Sequence, residues 1–317
     1  MSAFDGGALK RFHALPDNIK GALILMVAAL GFSFMVTLIK FVGAHLHVTQ
    51  ILFLRQVGMT LIIAPTLLRN FRSSIKTKRL DLQLLRIFFA LIAMMTGFSA
   101  IIHLPLADAT ALAFAKSFFV TIFAILFLGE IVGIRRWSAT IIGFFGVIVM
   151  LRPGTEGFSI YGIYAIVGAA AAGVVMVIIR LLSRSEAPVT ILTYQAVGVG
   201  LAMAIPAFIY WLPPTPFEWL LIALIGIISY FAQKCNIYAY KWGEASLLAS
   251  LDYVRLIYTT LLGYLVFDNL PGVYTWIGAT IIVSASIYTV HRESKLRKIT
   301  PQAPNSRTHN ARNDSAL

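Results

Sequence analysis

Ten apolar runs dominate this chain, at about 20–42, 49–68, 82–104, 107–128, 136–151, 161–182, 189–211, 217–238, 245–267 and 272–291, each bounded by charges or turn residues. A helix needs roughly 20 apolar residues to cross hydrocarbon, where its own backbone satisfies every N–H and C=O. The runs therefore predict an all-α polytopic membrane protein with ten transmembrane helices. The fifth run is short, and Pro153 with Gly154 marks its stop. Composition agrees, with 59% of residues hydrophobic and 12% charged, against roughly 25% charged in soluble domains. Ten spans take about 200 residues, which leaves too little of the 317 for a sizeable soluble domain. A lone cysteine, Cys235, excludes an intramolecular disulfide and a thiolate metal cage, and reads as a packed membrane thiol.

The net charge of +13 would suggest nucleic acid in a soluble protein, but here its distribution is a topology signal. With a cytoplasmic N-terminus, the inside segments hold Lys10, Arg11, Lys20, Arg69, Arg72, Lys76, Lys78, Arg79, Arg135, Arg136, Arg184, Lys241 and six basic residues after His291. The outside segments hold only Arg152. Both termini are thus expected in the cytoplasm, with an even number of spans. The first run is longer than the roughly 7 to 15 residues of a signal-peptide core and lacks a small-residue cleavage site, so it is expected to stay in the membrane. Residues 1–19 form a short cytoplasmic segment. Residues 292–317, rich in Pro, Asn, Ser, Arg and Lys, are expected to be a disordered basic cytoplasmic tail. Its Lys295, Arg297 and Lys298 serve as a topology anchor or touch anionic lipid.

Sliding the chain by 140 residues aligns 50–58 with 190–198, so that Arg55 falls on Gln195, Gly58 on Gly198 and, further back, Lys40 on Arg180. A shift of 136 aligns 108–113 with 244–249 and carries Lys116 onto Asp252. Two five-helix repeats follow, at 20–153 and 160–291. An odd number of helices per copy inverts the second copy in the bilayer. Inverted repeats are the architecture of alternating-access carriers, whose solute site lies near the midplane between the halves.

Leu128-Gly129-Glu130 closes the fourth run, Trp137 opens the fifth, and 143–153 ends the first half with Arg152-Pro153. With ten spans in two halves, these motifs resemble the EamA-type branch of the drug/metabolite transporter superfamily over nearly the whole chain. The resemblance implies a multi-pass carrier of the cytoplasmic (inner) membrane for small organic solutes, with a cavity bounded largely by spans 1, 3, 4, 6, 8 and 9. It implies exporters of amino acids or drugs, or importers of flat cofactor-like solutes such as riboflavin or S-adenosylmethionine, and so leaves direction open. Relatives often carry proline near the middle of spans four and nine, where this chain has Lys116-Ser117 and Asp252-Tyr253; the second Gly-Glu is replaced by Phe267-Asp268-Asn269.

Seven basic residues, Lys40, Arg55, Arg86, Lys116, Arg180, Lys234 and Arg255, fall inside the runs, with Asp252 as the one acid well inside. A central charge costs roughly 2.5–3.5 kcal/mol on insertion scales, so each needs a partner, water or a route to the interface. Lys40, Arg86, Arg180 and Lys234 lie close enough to span ends to snorkel. Arg55, about two turns into span two, makes either a packing contact to a backbone carbonyl or Gln195, or a solute contact. Lys116 and Asp252 sit at span centres in equivalent positions, with Arg255 on the helical face of Asp252.

These three form either a buried ion pair with a third member, or a solute site. A buried pair rarely improves net stability, which favours the site. In it, Lys116 and Arg255 receive a carboxylate or phosphate, while Asp252 balances them and binds an amino group or a proton. Phe32, Phe34, Phe114, Phe118, Tyr230, Tyr253 and Tyr258 offer stacking surface, and Phe114 and Tyr253 adjoin the charged centre. The expected partner is an anionic or zwitterionic amino-acid-, vitamin- or nucleotide-like metabolite, with membrane lipid around the protein and proton or exchange coupling, in a monomer or homodimer. Neither catalytic residues nor cofactor, metal or nucleic acid is expected.

An intramembrane enzyme is the remote rival, but H-E-x-x-H, G-x-S-x-G and paired membrane aspartates are all missing. His45, His47 and His103 gather near the outer face without carboxylate or cysteine support and read as an interfacial cluster rather than a zinc centre. A channel would need a filter or selectivity ring, and no filter-like run occurs.

Overall fold

The computed structural model of the chain describes residues 15–69, 76–128, 134–155, 158–182, 185–242 and 254–299. The described apolar runs are helical: α1 (Asp17–Val42), α2 (Val48–Arg69), α3 (Leu80–His103), α4 (Leu106–Ala113), α5 (Lys116–Leu128), α6 (Ile134–Leu151), α7 (Ile160–Leu182), α8 (Pro188–Ile209), α9 (Pro216–Trp242), α10 (Val254–Phe267) and α11 (Val273–Ile299). Proline punctuates their starts. Pro16 and Pro105 precede α1 and α4, and Pro188 and Pro216 take the first helical position, where the missing N–H would have no partner anyway. α6 stops where Arg152 takes a left-handed φ of 45°, and α10 where Asp268 takes 52°.

Among the described residues, α1, α2, α3, α7, α8 and α9 supply 6 helices long and apolar enough to cross a membrane, joined by shorter apolar stretches at 141–151, 254–267 and 273–285. Leu61, Leu201, Ile205, Phe208, Ile257 and Leu265 stand exposed on the flanks of the bundle. Lipid tails solvate such side chains as well as a protein core does. The molecule is a multi-pass membrane protein.

Helix pairing repeats itself along the chain. α1 packs on α9 as α3 packs on α7; α2 packs on α9 as α3 packs on α8; α1 packs on α10 as α5 packs on α7. α2 also meets α8, and α6 meets α11. Exchanging α1, α2, α3, α5 and α6 for α7, α8, α9, α10 and α11 therefore returns the same pairs. Small residues set the spacing, as expected for the Gly168 to Gly173 face of α7: Gly168 lies against Gly97 of α3, and Gly173 against Phe119 and Val120 of α5. Where α6 crosses α11, a Cβ on Gly278 would lie 2.5 Å from the carbonyl of Gly146.

Two elements differ from the sequence expectation. The fourth run, expected as one helix over 107–128, is broken at Phe114-Ala115. The amides of Phe114 and Ala115 bond three residues back, to Ala111 (3.2 Å) and Leu112 (3.0 Å), and Phe118 bonds to Ala115 (3.0 Å). Such tightened turns interrupt the i to i−4 ladder without any proline. At the other end of the chain, α11 continues past Glu293 to Ile299, into the stretch expected to lack structure. Residues 292–299 hold Arg, Glu, Lys and Leu, all good helix formers, and Pro301 follows. Residues 300–317 lie outside the described part.

Gly278→Val should destabilise the protein by about 1–3 kcal/mol, as overpacking does, lowering the temperature at which monodisperse protein is lost in heated detergent extracts. Gly97→Ala, whose added methyl meets nothing within 4 Å, should leave that temperature unchanged.

Candidate functional site

The break in the fourth run creates the site's central feature. Lys116 is the first residue of α5, half-buried, directly after the turn. Among the described residues, no carboxylate or hydrogen-bond acceptor holds its ammonium group. Phe114, in the turn, is buried in an apolar cluster with Ala115, Phe118, Ala165, Ala169 and Ile282.

α10 runs alongside. Gly263 of α10 lies against Leu106 at the start of α4, and Leu256 packs on the cluster that holds Phe114. Seven residues separate 256 from 263, about 10.5 Å of helix, which sets the start of α10 level with the break. Arg255 stands there, its guanidinium 5.4 Å from the ring of Phe32 in α1. Its backbone carbonyl accepts Ser33 Oγ (3.5 Å) and Thr259 Oγ1 (3.0 Å). Lys116, Phe114 and Arg255 thus share one depth. Asp252 and Tyr253 lie outside the described residues, as does the whole of 243–253.

Arg55 is buried between α2 and α9. Its Nε donates to Ser229 Oγ (2.9 Å), its Nη1 to Gln56 Oε1 (3.1 Å), and its guanidinium lies 5.7 Å from the Phe98 ring. The expected link to Gln195 runs through Gln56, whose Nε2 donates to the Gln195 carbonyl (3.2 Å). Gln195 Oε1 is taken instead by Arg86 Nη2 (2.5 Å), and Arg86 Nη1 donates to the Ile191 carbonyl (2.9 Å).

Arg86 therefore does not snorkel. It is 1% exposed, because α8 covers the N-terminal third of α3 and supplies both acceptors. Gln56, Ser229 and Arg86 are the polar partners that sequence reasoning missed. Two glutamines in apolar runs, Gln56 and Gln195, were the available signal.

Of the remaining cations, Lys40 has structural employment. Lys40 Nζ donates to the carbonyls of Ile101 (3.3 Å), Ile102 (3.1 Å) and Leu104 (2.5 Å), closing the C-terminal end of α3, where carbonyls lack intrahelical partners. Lys234 is exposed beside the ring of Tyr230. The side chain of Arg180 lies outside the described part. Of the aromatic candidates, Phe118 is buried beside the break and Phe34 is exposed on the flank.

The three histidines are dispersed into separate contacts: His45 Nδ1 bonds Glu218 Oε1 (2.9 Å), His47 stacks on Tyr210 (4.6 Å) and His103 stacks on Tyr161 (3.8 Å). Among the described residues no group of three metal-ligating side chains forms.

Comparison with known proteins gives one family. The EamA-like transporter family matches residues 19–152 and again 159–290. An S-adenosylmethionine uptake transporter of Rickettsia bellii is 28% identical, covering 81% of this chain and 88% of its own. A riboflavin transporter of Vibrio cholerae is 28% identical over 87% of this chain and 95% of its own. A pseudopaline exporter of Pseudomonas aeruginosa is 29% identical over 84% and 94%. A solved crystal structure, 20% identical, superposes with a TM-score of 0.60 over 89% of this chain and 100% of its own, a likeness of fold.

Gln195→Leu removes one acceptor of the buried Arg86 guanidinium and should cost about 1.5–3 kcal/mol, the scale of a hydrogen bond to a charged group. A lowered unfolding temperature of purified protein would register it. Lys234→Gln, at an exposed position, should leave that temperature unmoved.

Proposed function

Because this chain belongs to the EamA-like transporter family, we propose that it is a secondary carrier of the inner membrane, moving a small anionic or zwitterionic metabolite between two inverted five-helix halves, 20–153 and 160–291, with both termini cytoplasmic. That it transports a small metabolite follows from the family and from relatives named for such solutes. The break at Phe114-Ala115 is the observation that carries the site. It puts Lys116 at the N-terminal, positive end of a half-helix in mid-span, level with Arg255. Discontinuous helices are how carriers present backbone dipoles and charge to an anionic group at the midplane.

Lys116 and Arg255 receive the carboxylate or phosphate of the solute, and Asp252, one turn before Arg255 in sequence, balances them and takes an amino group or proton. Arg55 supplies a fixed positive charge on the wall between the halves. Phe114 and Tyr253 contribute apolar surface. A gradient or exchange provides the energy.

A second reading, import of a flat cofactor-like solute, is favoured by the aromatic surroundings of the cations: Arg255 over Phe32, and Phe114 with Phe118 beside Lys116. It draws also on relatives named for S-adenosylmethionine and riboflavin uptake.

A thermal-shift screen of purified protein against metabolites finds the solute, since a ligand selective for the folded state raises apparent stability. Flux of that solute into proteoliposomes should be saturable and stereospecific. Lys116→Ala, Asp252→Asn and Arg255→Ala should each reduce it at least about tenfold, the worth of one charge-assisted bond. Wild-type flux in all three, at normal abundance, ends the assignment of this site.

A further inference from the structure

Arg152 is the lone basic residue in the segments that charge bias places outside. It stands directly after α6, in the left-handed φ of 45° that ends that helix. The guanidinium lies 4.5 Å from the ring of Tyr274, and its buried Nε has no hydrogen-bond partner. Asp108, in the first turn of α4, lines the same cavity as Arg152. Its Oδ1 accepts Thr275 Oγ1 at 2.8 Å. Tyr274 and Thr275 are neighbours in the first turn of α11, so one turn of helix steadies both charged groups.

Among the described residues, no salt bridge joins Asp108 to Arg152 or to Lys40, although both cations are close enough to act on the carboxylate. Lys40 is already engaged by three carbonyls. Acid and base therefore line one cavity without a direct ion pair between them among the described residues. The cavity measures about 50 Å³ and is lined also by Ser159, with Leu104, Leu112, Met150 and Leu151 as apolar lining. At roughly 10–15 Å³ for each water-sized centre, it has room for a few heavy atoms and not for a whole nucleoside.

We infer that this cavity binds the α-ammonium carboxylate head of an amino-acid-like solute at the outer mouth of the carrier. Arg152 takes the carboxylate and Asp108 the ammonium group, while the solute's side chain projects past the apolar wall. A solute with one charge would leave the opposite group unmatched, so a zwitterion is selected over its singly charged derivatives. The site is separate from the central one at Lys116 and Arg255, and its occupancy stands or falls without it.

Binding is read by saturation-transfer NMR on the full-length Lys116→Ala chain in nanodiscs, where the central site is crippled and the outer one is intact. The probes are L-leucine, L-leucinamide and N-acetyl-L-leucine. L-leucine should bind at least tenfold more tightly than either blocked form. Adding Asp108→Asn or Arg152→Gln should weaken L-leucine at least tenfold, and Arg152→Lys, which keeps charge but loses the planar fork, should fall between. Monodisperse elution of each variant guards against misfolding, and Asp108→Glu substitutes if Asp108→Asn fails that check, with partial binding expected. Equal binding of the three probes overturns the inference, as does L-leucine binding that is absent or is untouched by both outer substitutions. Loss of solute flux in Lys116→Ala alone reports on the central site and leaves these outcomes readable.

Discussion

A cation at the centre of a transmembrane helix costs roughly 2.5–3.5 kcal/mol, and the interior of this bundle is arranged around how each one is met. Arg86 and Arg55 each make two side-chain hydrogen bonds to neutral acceptors. At about 1.5–3 kcal/mol for a bond to a charged group, two of them offset the insertion cost. Lys40 is met by the open carbonyls at the end of α3. None of the three forms a salt bridge among the described residues. Among the described residues Lys116 has no such acceptor, and this difference from the other cations is what supports the proposed solute site.

The bonds of Arg55 and Arg86 also tie one half of the chain to the other. Arg55 of α2 reaches Ser229 of α9, and Gln195 of α8 reaches Arg86 of α3. Arg55 and Gln195 are the residues that a shift of 140 superposes, so donor and acceptor trade places across the same kind of joint. Gln56 stitches the two joints together through the Gln195 carbonyl. A cation bonded to neutral dipoles can exchange one carbonyl or water for another as helices slide. A buried ion pair cannot do so without stranding two charges in low dielectric.

Much of the helical layout was legible in the sequence, because a run of apolar residues near the thickness of hydrocarbon has few alternatives. The small-residue face of α7 and the link from Arg55 towards Gln195 were legible for related reasons: spacing on a helix, and polar residues matched across a repeat. The break at Phe114-Ala115 was not, since the chain has Lys116-Ser117 where a proline would have announced an interruption. Arg86 was misjudged because its depth depends on α8, a helix some hundred residues away in sequence, covering it. Asp108 and Arg152 sit near run ends that invite dismissal as interfacial, and only the fold brings them to one cavity. The helical extension to Ile299 is hidden by the Pro, Asn and Ser of the residues that follow it, which dominate the composition of 292–317.

Central to the proposed mechanism is that Lys116 faces water between the halves rather than lipid. In a chain made cysteine-free by Cys235→Ser, single cysteines at Lys116→Cys and at the exposed flank position Leu201→Cys can be challenged with a charged, water-soluble methanethiosulfonate reagent in membrane vesicles. The thiolate that reacts forms only where water reaches it. Rapid modification at 116, with little reaction at 201, is the predicted result. Equal inertness at both positions would contradict the account, since it would place Lys116 in a dry interior or against lipid, with no cavity for a solute to enter.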